Sequence, residues 1–225
     1  MTEHDSGAVD PVIAAAREQV LLEAEAVRSV AGQIDQSFLT AASWLRWMTG
    51  KVVFTGAGTS GLIGRRSAHL FSVTGTPALF MHPSDALNGT MGLLEQDDIV
   101  IALSKGGGSA EVNEVVTRAS ARRVRVIAIC SDPESALARA ADLSIDVTPF
   151  NGGDPGGFLA MGSTLGHSAW LDAMANVLMR ARRYPWSEVL FTHPGGAVGK
   201  IVDEPAPLDP LEIPRPADDP STSGA

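Results

Sequence analysis

The stretch VVFTGAGTSGLIGRR, residues 52–66, decides how this chain reads, because an apolar run breaks into glycines and then resumes with helical spacing. Val52, Val53 and Phe54 suit a buried strand, while Gly56, Gly58 and Gly61 allow a tight turn with backbone N–H groups facing outward. A helix follows, which Thr59 or Ser60 is expected to cap, and its N-terminus offers partial positive charge and unpaired donors. Such a turn is built for an anion. Gly56-x-Gly58-x-x-Gly61 also matches the dinucleotide fingerprint, which wants an acid ending the second strand, roughly 20 residues on, to hold a ribose. Here Ala78, Leu79, Phe80 and Met81 run into His82 and Pro83, and the nearest acid, Asp85, lies beyond the proline. A small phosphorylated ligand held by the Thr59 and Ser60 hydroxyls fits better.

Outward from that turn the chain alternates strand and helix, the pattern of a parallel sheet with right-handed crossovers. Strands are expected near 51–56, 77–82, 98–104, 124–130 and 143–147, and helices begin near Ser60, Ser109 and Pro133, with a short element at 84–88. The expected fold is α/β, an open five-stranded parallel sheet of order 2-1-3-4-5 flanked by helices, with ligands bound where strands end. Two helices precede it. Asp10 and Pro11 start the first well, and Ile13, Ala16, Val20, Ala24, Val27, Ala31 and Ile34 mark one apolar face. The second, about 37–48, carries Phe38, Ala41, Leu45 and Met48. Residues 1–50 thus read as a helical extension that packs on the domain or on a second copy. A last long helix is expected at about 163–182, after a loop at 151–157 (NGGDPGG). His193-Pro194-Gly195-Gly196 is a sharp turn, and residues 203–225, with six prolines and six acids, read as a flexible or extended tail.

At 225 residues and 44% hydrophobic, the chain supports one sizeable core. A net charge of -9 argues against nucleic acid or anionic membrane as partner. Much of the excess lies in the tail, where Asp203, Glu204, Asp209, Glu212, Asp218 and Asp219 face only Arg215. The single cysteine, Cys130, excludes an internal disulfide, fits a reducing compartment, and sits in an apolar run that suits an inert core thiol. With no basic start and apolar core at the N-terminus, and no run near the ~18 apolar residues of a membrane span, a cytoplasmic protein is expected.

The third strand ends in a second glycine loop, Ser104-Lys105-Gly106-Gly107-Gly108-Ser109. Its glycines offer an N–H nest, Lys105 a cation, and Ser109 a cap for the next helix, so a phosphate would be held from several sides. The bland alternative is two ordinary crossover turns. Glu111, in the first turn after Ser109, either stabilises the helix start or serves as a base beside the phosphate. His193 is either structural or a proton carrier. His69 and His167 fall inside helices and read as packing or surface residues, and His82 reads as a turn residue at the cleft edge. No group of Cys, His and acids has metal-site spacing, and no cofactor is expected.

The run from GAGTSGLIGRR through ALSKGGGSAE, followed by PESALARAADLSIDV and HPGGAVGK, resembles the sugar isomerase (SIS) domain, in its arabinose 5-phosphate isomerase branch, over about residues 51–202. The resemblance implies a flavodoxin-like SIS fold, a phosphosugar ligand, and homodimers or homotetramers whose neighbouring chains complete each site. It places Glu111 and His193 on proton-transfer positions, and Ser60, Ser104 and Ser109 on the hydroxyls of the phosphate loops; Gly58, Thr59, Asn88, Lys105 and Gly107 complete the candidate substrate contacts. The branch often carries CBS repeats, which do not appear here. Some positions depart from it: Thr59 replaces a lysine, Asn88 a histidine and Gly106 a serine. The family's acid before the last long helix has Asp154 as its nearest candidate. GAGTSG itself is closer to SIS proteins acting on amino-sugar phosphates.

The expected activity is an aldose–ketose isomerase working through an enediolate, with Glu111 moving the carbon-bound proton, His193 serving the sugar oxygens, and the two roles interchangeable. Lys105 would steady an oxyanion or phosphate. The alternatives are a non-catalytic sugar-phosphate-binding protein and an SIS lyase acting on an amino-sugar phosphate.

Overall fold

The computed structural model describes residues 10–216. The acidic N-terminal residues 1–9 and the tail residues Asp218 and Asp219 lie outside the described residues. Five parallel strands form one sheet in the order β2-β1-β3-β4-β5: β1 Val52–Gly56, β2 Ala78–Phe80, β3 Ile99–Leu103, β4 Arg125–Cys130 and β5 Leu143–Asp146. The expected order is the observed one. Every residue of β1 and β3 is buried, because helices cover both faces and each strand is apolar on both sides.

The helices are α1 Pro11–Ala31, α2 Gln36–Trp47, α3 Gly58–Val73, α4 Pro83–Leu87, α5 Ala110–Ala121, α6 Ala136–Ala140, α7 Gly162–Arg182 and α8 Trp186–Phe191. Alternation along the strands splits the core in two. Val52, Phe54, Ile101, Leu103 and Ile129 pack with α2, α3 and α7 on one face. Val53, Val100, Ala102, Val126 and Cys130 pack with α4, α5 and α6 on the other. Cys130 is a free, buried thiol in that second layer.

Close packing of α3 on the sheet needs Gly61. A Cβ there would lie 2.5 Å from the Gly56 carbonyl oxygen, so the helix approaches the strand end closer than any side chain allows. Gly61→Ala is expected to lower stability by ~1–3 kcal/mol, read from the urea midpoint; an unchanged midpoint would show that α3 pivots away freely.

Two expectations need correction. In α1, Asp10 does cap the helix, its Oδ1 accepting from the Val12 N–H at 2.7 Å. The predicted apolar face, however, is not the buried one, since Val20 is 64% exposed while Ala26 and Val30 are covered by the domain. The inner side of α1 carries amides instead. Gln19 Nε2 donates to the Gly153 carbonyl at 2.9 Å, and Gln33 both donates to the Thr148 carbonyl and accepts from its N–H. Loop 148–153 has backbone groups that need partners, and glutamines supply them where leucines cannot. The tail, second, is anchored rather than free as far as residue 216. Ile213 is buried, the Trp47 indole N–H donates to its carbonyl, Ser43 Oγ to that of Pro214, and Arg180 to that of Asp209. Prolines keep this strap extended, and side chains of α2 and α7 take up its carbonyls. The short helix α8 is an addition to the expected elements; none of its side chains is buried. Among the described residues no helix is long and apolar enough to cross a membrane.

Candidate functional site

Two loops meet at the carboxyl edge of the sheet. Gly56 of β1 lies opposite Leu103 of β3, so the chain leaves both strands at one level, on neighbours about 4.8 Å apart. From there α3 and α5 depart to opposite faces, which opens a crevice between their first turns.

The first loop presents the start of α3. Gly58 takes a positive φ of 54°, a conformation that suits glycine, and a Cβ there would meet nothing within 4 Å. The first intrahelical bond runs from the Gly61 N–H to the Ala57 carbonyl. The N–H groups of Gly58, Thr59 and Ser60 have no acceptor among the described residues. Ala57 occupies the cap position, so neither Thr59 nor Ser60 caps α3 as expected. Their hydroxyls therefore stay available: Thr59 is exposed and Ser60 half-buried on the first turn.

The second loop follows β3. Ser104 is nearly buried, its Oγ 3.4 Å from the Ser109 Oγ. Ser109 holds the cap position of α5, but its side chain makes no capping bond, contrary to expectation. Gly107 also differs from the expected nest: its N–H donates to the Ser104 carbonyl, and a Cβ would collide with Ser135. It shapes the loop rather than contributing a donor. Gly106, Gly108 and Ser109 keep N–H groups without acceptors among the described residues.

Lys105 is the cation of the site. Its ammonium donates to Asp154 Oδ2 at 2.6 Å, with the lysine side chain 34% exposed and the aspartate side chain fully covered. Asp154 Oδ1 accepts from the N–H groups of Met161 and Ser163 at 2.8 and 3.0 Å. Burial pushes the Asp154 carboxyl up, but the Lys105 ammonium and the Ser163 and Met161 N–H groups prevail and hold it at about 2. His167 lies buried nearby on α7, with Nε2 2.9 Å from the Val147 carbonyl oxygen. Burial, aided by the charge of Lys105, lowers its pKa and keeps the ring neutral.

The other expected residues sit farther out. Glu111 is exposed in the first turn of α5, beside the second loop. Asn88 ends α4 and spends an amide hydrogen on the Ser84 carbonyl, and His82 caps the same helix by accepting from the Ser84 N–H. His193 follows α8, where its Nδ1 lies 2.6 Å from the Val189 carbonyl oxygen. Residues 194–202 beyond it are all exposed, and no hydrogen bond joins His193 to Glu111 within one chain. A separate cavity of about 580 Å³, lined by Tyr184, Trp186 and the 204–210 strap, shares no residue with the two loops. No group of three or more metal-ligating side chains occurs among the described residues.

Comparison with known proteins agrees with this architecture. The SIS domain family matches residues 47–150. Arabinose 5-phosphate isomerase KdsD of Escherichia coli (strain K12) is 37% identical over 186 residues, 83% of this chain and 57% of that protein. KdsD of Pseudomonas aeruginosa is 35% identical over 84% of this chain and 58% of its own length. The chain thus spans a little over half the length of these relatives. Among solved structures, the E. coli CFT073 protein c3406, in complex with arabinose 5-phosphate, superposes with a TM-score of 0.79 at 28% identity, covering 83% of this chain and all of that one. The five-stranded sheet and its paired glycine loops agree with the SIS domain that matches residues 47–150.

Proposed function

We propose that the chain is a phosphosugar aldose–ketose isomerase. The observation that carries this reading is the pair of loops at neighbouring strand tips, each with unspent N–H groups and hydroxyls, beside the Lys105 ammonium. A phosphate dianion suits that set of donors, since each N–H and the lysine adds a charge-assisted bond. The relatives named arabinose 5-phosphate isomerase point to a five-carbon substrate. With the phosphate seated, Glu111 is the proposed base that carries a proton between adjacent sugar carbons. Lys105 offsets charge on the enediolate oxygen, and His193 moves the proton between the two oxygens.

His193 supports a self-associated form of this reading. It lies on an arm with no buried side chain in α8, and α1 presents Ile13, Val20 and Val27 outward. A second copy that covers α1 and delivers His193 would complete the site, and residues 1–50 are proposed to serve that contact. The free buried thiol of Cys130 supports a reducing, cytoplasmic setting.

Arabinose 5-phosphate at about 100 times its Kd is expected to stabilise the protein by ~2.7 kcal/mol, a rise in Tm of roughly 5–10 °C. Incubation in deuterated water should then place deuterium on the carbon beside the carbonyl. Binding without exchange would leave a sugar-phosphate-binding protein, and absence of both would remove the reading altogether.

A further inference from the structure

Asp154 stands where a base for sugar chemistry would be welcome, yet its geometry suits another task. The side chain is fully covered, and its oxygens are committed to two backbone N–H groups and to the Lys105 ammonium. A carboxylate held at about 2 has almost no tendency to take a proton at neutral pH. Lys105 differs. One of its three hydrogens points at Asp154, and the partly exposed ammonium keeps the others for a ligand.

The surroundings fix this pair from several sides. The Lys105 carbonyl accepts from the Ser131 N–H at 2.8 Å, which ties the base of the lysine to the end of β4. Loop 151–157 is wedged between α1 and α7: a Cβ on Gly153 would press on the Leu22 carbonyl and on Gly162, and Gln19 holds the Gly153 carbonyl. His167 below is neutral, which leaves Lys105 as the cation that answers Asp154. A free lysine loses rotamer entropy when it is pinned to a ligand. Here the pinning is done before the ligand arrives.

We infer that Asp154 is a positioning residue: it holds the Lys105 ammonium at the crevice between the two loops, ready for the phosphate or enediolate oxygen, and exchanges no proton itself. This rests on the phosphosugar isomerase reading and assigns the acid before α7 a task apart from proton transfer.

A double-mutant cycle on the full chain, followed by the interconversion of arabinose 5-phosphate and its ketose, tests the inference. Asp154→Asn keeps an oxygen for the Met161 and Ser163 N–H groups but turns an NH2 toward the ammonium, so the loop stays closed while the lysine is released. Lys105→Met and Asp154→Asn are each expected to lower kcat/KM by ~10–100-fold, the range of one charge-assisted hydrogen bond. The double variant should be no slower than Lys105→Met alone, because Asp154 acts through that lysine. Asp154→Glu, which retains the charge, should fall between wild type and Asp154→Asn, and should change nothing in the Lys105→Met background. Losses that multiply in either double variant would overturn the inference and return Asp154 to a direct or purely structural role. A wild type that turns over the sugar while Asp154→Asn keeps its kcat/KM overturns the positioning role alone. A wild type inert toward every sugar phosphate overturns the isomerase reading, and this inference with it.

Discussion

Replacing Glu111 with glutamine is expected to lower phosphosugar turnover by ~10²–10⁴-fold, the range of a lost general base, with KM within a few-fold of wild type. Glutamine has the same shape and still accepts hydrogen bonds, so only the capacity to carry a proton disappears. The competing explanation for an acid at this position is electrostatic: Glu111 lies in the first turn of α5, where a carboxylate stabilises the helix by about 0.3–1 kcal/mol. The two explanations move different observables. A helix-start role predicts a fall in Tm of a few degrees and an unaltered kcat. A base predicts an intact melt, since the exposed side chain holds no partner in the fold, together with loss of deuterium incorporation from solvent. Full exchange activity in Glu111→Gln would move the base to another residue, His193 first.

The sheet was legible in the sequence because β1, β3 and β4 are apolar on both faces, too short for a buried helix, and followed by glycine or a polar turn. The orientation of α1 was not. Hydrophobic periodicity picks out Ile13, Val20 and Val27, but the side turned to the domain is set by Gln19 and Gln33, whose partners lie 134 and 115 residues away. A partner that distant leaves no local trace. The two glycine loops were readable from glycine spacing, whereas the split of labour among their residues was not: Gly107 shapes its loop and Ala57 takes the cap position, which depend on close approach of Ser135 and on the exact start of α3. The Lys105–Asp154 contact bridges 49 residues and joins two glycine-rich loops, each of which reads alone as a turn. Its one sequence trace is a lone acid in NGGDPGG, and only the fold shows the cation it serves.

Asp98→Ala is expected to be the most damaging single change to the fold, by ~3–5 kcal/mol, against a total stability of ~5–15 kcal/mol for a domain. Asp98 is 1% exposed at the entry to β3. Its Oδ1 accepts from the Lys51 N–H at 2.9 Å, and its Oδ2 from the Lys51 ammonium at 2.7 Å and the Glu95 N–H at 2.9 Å. One carboxylate therefore joins the entries of β1 and β3, the two strands whose far ends carry the glycine loops. Alanine would strand two backbone donors and an ammonium, whereas Asp98→Asn keeps one acceptor oxygen and should cost less. Acid offers a second reading of the same contact. Burial pushes the Asp98 carboxyl up, but the Lys51 ammonium and the Glu95 and Lys51 N–H groups more than offset this and hold its pKa below the ordinary 3.8. A folded pKa below the unfolded one means that the contribution is complete above about pH 4 and is lost as pH falls through the folded value. Urea midpoints of wild type and Asp98→Ala should thus differ most at pH 5–7 and converge in stronger acid. Asp154, which is held at about 2, adds the same acid dependence to both proteins and cancels from the difference. A gap that stayed constant down to pH 2 would mean that Asp98 acts through packing rather than charge, and the account of how the two loop-bearing strands are aligned would then have to rest on the apolar layers alone.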